Sequence, residues 1–277
     1  MDELGIVGLV ILFVTVLVSY AGFKNPAYFD RYLFRVKDIL HGRQYQRLVS
    51  SGFLHTGWVH LLFNGITFYC FSGSIEETVG IRHFVVLYFA SLVGDNLFSL
   101  WLHRHDPEYS AVGASGAVSG LVFAAIALYP GMQVGVPGVP YHMAGWLYGL
   151  LYVLLSAYGI GARRDNIGHD AHLGGGLVGL ATAVAFDPTL LVANWPAIAA
   201  IVAPTAGFMF LVLRRPELLL LGKPTGASPS YQPLDDRLRA QHQQQEADLD
   251  ALLDKISRNG LASLSAKEKQ ALEELSR

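Results

Sequence analysis

For its first 215 residues the chain alternates long apolar runs with short polar breaks, and after that it turns polar. A helix needs about 20 mostly apolar residues to cross the hydrocarbon core of a bilayer. Residues 4–23 carry no charge and predict a first span. Residues 24–56 mix Tyr28, Phe29, Tyr32, Leu33 and Phe34 with lysines and arginines, which predicts an amphipathic loop with short helical pieces at the interface. Residues 57–75, carrying His60 and Asn64, predict a second span, and 84–102, interrupted by Asp95 and Asn96, a third. Residues 109–162 contain no Lys, Arg, Asp or Glu, a run too long for one crossing. Pro130, Gly131, Pro137 and Pro140 break it, giving a fourth span at about 115–129 and a fifth at about 141–160. The glycine-rich stretch 171–191 predicts a sixth. A seventh begins near Trp195 and closes on Arg214 and Arg215, with Pro204 inside it predicting a kink or a weak helix.

The remainder reads as a soluble tail. Lys223 to Pro233 is rich in Pro, Gly and Ser, the composition of a linker. Leu249, Leu252, Leu253 and Ile256 recur at helical spacing within 235–258, and Asn259–Gly260 stops that helix. Ser265-Ala-Lys-Glu268 is a capping-box pattern that opens another short helix. The expectation is an all-α membrane protein: a six-helix core over 1–190, a seventh transmembrane helix over 191–215, a linker over 216–234 and a helical hairpin tail over 235–277.

Composition agrees. The chain of 277 residues is 52% hydrophobic and 15% charged, against about 25% charged in soluble proteins, and its mean hydropathy is +0.36. A net charge of −2 implies no polybasic surface and no nucleic-acid partner. The single cysteine, Cys70, excludes an intramolecular disulfide. Met-Asp-Glu at the start lacks the basic flank of a signal peptide, so the first run reads as a retained helix.

Polar groups at bilayer depth are expensive and suggest function. In Gly113-Ala114-Ser115-Gly116 the flanking glycines leave the serine uncovered at a helix start, beside N–H groups that can hold an oxyanion. In Ala171-His172-Leu-Gly-Gly175, an imidazole opens an apolar helix that carries Gly175 and Gly179 on the same face. Gly116 and Gly120 form a matching small pair on the serine helix, and such pairs let membrane helices approach closely. His60 and Asn64 lie four apart on one face, and both can donate toward an oxyanion. Each feature alone reads equally well as packing or helix glue. Asp95 reads as glue facing the bundle interior. Asp170, two residues before His172, points away from it on a helix, and no triad is assigned.

In chain order these residues resemble the rhomboid family of intramembrane proteases. His60-x-x-x-Asn64 looks like its H-x-x-x-N on the second core helix. Gly113-Ala-Ser115-Gly116 looks like its G-x-S-G on the fourth. Ala171-His172-x-x-Gly175-x-x-x-Gly179 looks like its A-H-x-x-G-x-x-x-G on the sixth. Arg47 is similar to the arginine of the family's loop W-R pair. The resemblance covers about residues 5–190. It implies a Ser115–His172 dyad with His60, Asn64 and the Ser115 N–H around the oxyanion. It also implies single-span membrane proteins as substrates, no metal or other cofactor, and residence in a cell inner or plasma membrane. The sequence departs from the pattern at Gln46, in place of the tryptophan, and at Ser119, where some members carry a tyrosine that stacks on the histidine.

The alternative is a rhomboid-like pseudoprotease that binds membrane clients; such members lack the serine or the histidine, and both are present here. A transporter would show inverted repeats of hydrophobic segments, which are missing. A metalloprotease would carry H-E-x-x-H or a third ligand for His169 and His172. With seven spans, loops 24–56, 103–112 and 161–170 share a side with the tail, and the positive-inside rule puts that arginine-rich side in the cytoplasm. The helices of Ser115 and His172 open to the same side, whereas bacterial rhomboids usually open outward, so the two rules disagree on orientation.

Overall fold

The structure, a computed structural model, describes residues 5–135, 142–162, 169–214, 255–256 and 265. The chain clusters into two compact units, Met1–Ser228 and Pro229–Arg277. In the second unit Lys255–Ile256 is helical and Ser265 is exposed; the rest of the expected hairpin tail lies outside the described residues.

Helix α1 (Ile6–Lys24) buries Gly8, Ile11, Thr15, Ser19 and Gly22 and exposes Leu9, Val10, Phe13 and Leu17. Apart from Ile11, small and polar residues face the bundle and large apolar ones face outward, the reverse of a water-soluble helix and the pattern a lipid solvent favours. Asn25 ends α1, and its side chain accepts the Tyr28 N–H at 3.0 Å, capping α2 (Pro26–Tyr32), which starts on a proline.

The predicted amphipathic loop is a folded cap. It contains β1 (Phe34–Arg35), α3 (Val36–Leu40), α4 (Arg47–Ser50) and a 3-10 turn (Ser51–Phe53). Arg47 is buried at its centre. Its guanidinium donates to the carbonyls of Asp30 at 2.8 Å and Leu33 at 2.6 Å, to the Gln44 side-chain oxygen at 2.7 Å, and approaches the Asp38 carboxylate at 3.1 Å. One planar cation with five donors thus ties four separate points of an otherwise irregular segment. β1 pairs antiparallel with β2 (Ser110–Ala111).

The second and third predicted spans together form α5 (Trp58–Leu102), two helices that meet at a kink at Gly80, where φ is 77°. The two helices run on past the expected bounds at 75 and 84, and the break between them is the single residue Gly80. One residue in the left-handed region makes the turn, and glycine adopts it without steric cost. Glu76, one of the charges in this stretch, has a remote use. Its carboxylate accepts the N–H groups of Val7 at 3.1 Å and Gly8 at 2.8 Å, capping α1 from another helix.

Helix α6 (Ser115–Leu128) is the centre of the bundle, buried at every residue from Gly116 to Ala127. It packs between α5 and α8 (His169–Phe186), and these three helices share the main apolar core. After α6, β3 (Gln133–Gly135) pairs with β4 (His142–Ala144), so α7 (Gly145–Ala162) starts four residues later than the predicted fifth span. These two short ribbons qualify the all-α expectation. The sixth predicted span ends early, at Phe186, and is followed by the separate turn α9 (Leu190–Ala193). α10 (Trp195–Arg214) runs as one helix through Pro204. By length and composition α1 and α5 are able to cross a bilayer; α6, α7, α8 and α10 are apolar helices with shorter described stretches.

Candidate active site

The α6 start is built on Gly113, whose φ of 132° suits glycine alone among common residues. Its N–H donates to the Ser51 carbonyl at 3.0 Å, which anchors the turn to the folded cap. A β-carbon added at Gly113 would lie 3.0 Å from His60 Nε2 and 3.5 Å from Ser115 Oγ. The serine hydroxyl and the histidine ring therefore face one small volume that only a glycine leaves open. No side chain caps α6 at Ala114, so the first-turn N–H groups have no capping oxygen from that residue.

His60 is held from behind. Its Nδ1 lies 3.2 Å from Thr56 Oγ1, and its ring meets the edge of His55 with centroids 4.8 Å apart. When the Thr56 hydroxyl donates to Nδ1, the proton of the neutral ring sits on Nε2, toward Gly113. Asn64 donates its amide to the His60 carbonyl at 3.2 Å, along its own helix.

His55 lies in the segment ahead of α5 and is fully buried. Ser19 Oγ donates to the Phe53 carbonyl at 2.8 Å and lies 2.9 Å from His55 Nδ1, so its one proton is used and His55 donates to it. Burial first, and the neighbouring His60 second, hold the His55 pKa at about 3, against an ordinary value of about 6.5. Between those values the unfolded chain binds a proton that the folded chain refuses. Stability is therefore intact above pH 6.5 and falls as pH drops toward 3, by up to about 1.4 kcal/mol per unit. The melting temperature of purified protein should fall between pH 7 and pH 5, and His55→Gln should flatten that slope; parallel slopes for the two would refute the assignment.

His172, on α8, is buried. Its helix meets the serine helix backbone to backbone. A β-carbon at Gly175 would strike the Gly116 carbonyl, and one at Gly179 would strike Gly120. Gly116 follows Ser115 directly and Gly175 lies one turn beyond His172, so the crossing adjoins both residues. α6 also packs on α5, here through side chains, since β-carbons at Gly116 and Gly120 would strike the side chains of Asp95 and Ser91. Asp95 thus packs one residue from Ser115, while Asn96 donates to the Leu48 carbonyl at 2.8 Å. The side chains of His169 and Asp170 lie outside the described residues.

One residue escaped the sequence reading. Tyr152 on α7 stacks on His172, with centroids 5.8 Å apart and planes 29° apart. Its hydroxyl lies 2.6 Å from Ser119 Oγ. The missing aromatic at position 119 was the one signal that a partner had to come from elsewhere; nothing along the chain sets Tyr152 apart from its neighbour Tyr148.

Buried polar residues inside a sheath of outward apolar side chains define a helical protein of the membrane. The rhomboid domain family model matches residues 42–188, more than half of the chain, and the chain belongs to the rhomboid family. A second model, for a family of unknown function, matches residues 232–277. The chain is 28% identical over 156 residues to Rhomboid protein 1, mitochondrial, of Saccharomyces cerevisiae, covering 55% of this chain and 44% of that protein. It is 28% identical over 192 residues to RHOMBOID-like protein 12, mitochondrial, of Arabidopsis thaliana, covering 62% and 55%. It is 23% identical over 222 residues to Rhomboid protease GluP of Bacillus subtilis, covering 76% and 41%. The chain spans about half the length of the curated relatives it matches. Relatives named as proteases and one named inactive, from Drosophila melanogaster, both occur, so membership leaves activity to be argued from the residues.

Proposed function

We propose that this protein is an intramembrane serine endopeptidase that cuts single-span membrane proteins with a Ser115–His172 dyad. The observation that carries the reading is the crossing of α6 and α8 at Gly116 and Gly175, which brings the helices of serine and histidine into backbone contact beside both residues. Ser115 attacks the scissile carbonyl and His172 takes its proton, then returns it to the leaving amine; water releases the acyl group by the same route. His60 Nε2–H, Asn64 and the Ser115 N–H stabilise the oxyanion. α10 serves as a seventh span. Substrates are cut near helix-destabilising residues, where a peptide carbonyl is released from its own helical hydrogen bond and becomes open to attack.

Purified protein treated with a fluorophosphonate probe should carry the label on Ser115, and Ser115→Ala should carry none. A wild-type chain that stays unlabelled under conditions that label ordinary serine hydrolases would point instead to client binding without cleavage. Asn64→Ala should lower the rate of reporter cleavage by about 10²–10³, the usual cost of an oxyanion donor. An unchanged rate would leave Asn64 with only its helix hydrogen bond to the His60 carbonyl.

A further inference from the structure

Tyr152 sits between the two helices of the dyad and belongs to neither. Its ring lies on the His172 imidazole, and its hydroxyl is 2.6 Å from Ser119 Oγ. Ser119 Oγ is in turn 2.6 Å from the carbonyl oxygen of Ser115. A serine hydroxyl has one proton. Donating it to the Ser115 carbonyl leaves the Ser119 oxygen as an acceptor, so the Tyr152 O–H is the donor of the second bond. The tyrosine is therefore fixed at both ends, at its ring by the histidine helix and at its hydroxyl by the serine helix, one turn past the nucleophile. Ordinary aromatic packing does not explain the second contact, because a phenylalanine would fill the same space without a partner on α6.

We propose that Tyr152 is a positioning residue for the dyad, supplied by α7, with Ser119 as its anchor; the inference rests on the reading of Ser115 and His172 given above. The stacked ring holds the imidazole plane toward Ser115, and the Tyr152–Ser119 bond sets the ring against the helix that carries the nucleophile. Alignment of the two reacting groups then depends on the seating of a third helix. The small residue at 119 and the tyrosine at 152 form one unit: the hydroxyl at 119 leaves room for a ring arriving from α7 and gives that ring its bond.

The test uses the full chain in detergent or in lipid vesicles. It measures kcat and KM on a single-span reporter and the labelling rate of Ser115 by the fluorophosphonate probe, well below the melting temperature. Tyr152→Leu removes the ring and should lower kcat and labelling about 10²-fold, the cost of misplacing a reacting group by about 1 Å, with KM changed less than about twofold. Tyr152→Phe keeps the ring and loses the anchor, and should fall between the two, about threefold to tenfold below wild type on the same scale. The exchange Ser119→Tyr with Tyr152→Ser returns an aromatic ring from the other helix and should recover at least about tenfold over Tyr152→Leu. A residue that only fills space would not be rescued by relocation. If the exchange does not fold, the order wild type, Tyr152→Phe, Tyr152→Leu decides alone. Tyr152→Leu with wild-type kcat and labelling, beside an unlabelled Ser115→Ala, overturns the positioning role and leaves the dyad standing. An unlabelled wild type overturns both.

Discussion

Ser115→Ala and His172→Ala are each expected to abolish cleavage of a single-span reporter in membranes while leaving the fold in place. In serine proteases whose nucleophile and base act as a unit, losing either lowers kcat by about 10⁶, and losing both is no worse than losing one. The same non-additivity is expected here: the double variant should match the single ones within error. Ser115 opens α6 ahead of its buried run, and alanine adds no volume there, so thermal stability should stay within about 1 kcal/mol. Cleavage by Ser115→Ala at the wild-type rate would end the protease reading. Additive losses would mean that His172 acts on some other group.

Gly175→Val is expected to be the most damaging single change away from the reacting groups. The obstacle is the Gly116 carbonyl, part of a backbone that cannot rotate aside. Even Gly175→Ala should cost about 1–3 kcal/mol as overpacking, and valine more. Pushing α8 away from α6 by about 1 Å should also lower turnover about 10²-fold in molecules that remain folded. Gly207→Ala on α10 is the control, because a β-carbon there meets nothing within 4 Å. It should be neutral or stabilising by about 0.4–1 kcal/mol. Wild-type melting and turnover in Gly175→Ala would show that the helices do not meet at this glycine in the working protein.

The apolar spans were legible because crossing a bilayer imposes a length and forbids charge, and both are local properties of the chain. α1, α6 and the start of the long α5 fall within a residue or two of expectation for that reason. The second and third spans were read as ending at 75 and starting at 84, short of the kink at Gly80, because the charged residues between were counted in neither. Glu76 is a helical residue whose carboxylate caps a helix 68 positions away, and no local pattern reports such a partner. The short helical pieces expected in 24–56 are present, but composition did not report that buried Arg47, bonded to carbonyls 14 and 17 residues distant, ties them together. β3 and β4 were missed because a ribbon of three residues a side has too few positions to display an alternation.

By itself the sequence determined where the long apolar helices of the first 215 residues lie, and that Ser115, His172, His60 and Asn64 stand on them at positions where a polar group is costly enough to call for a purpose. It also supplied the glycines that permit close approach. Which groups meet was decided only by tertiary structure. The open volume beside Gly113, the support of His60 by Thr56 and His55, and the tyrosine on His172 arise where separate segments converge. The physical reason is that desolvation acts residue by residue and leaves its mark along the chain. Hydrogen bonds and ring contacts act between pairs, and Tyr152 finds Ser119 across 33 residues only after α6, α7 and α8 have packed.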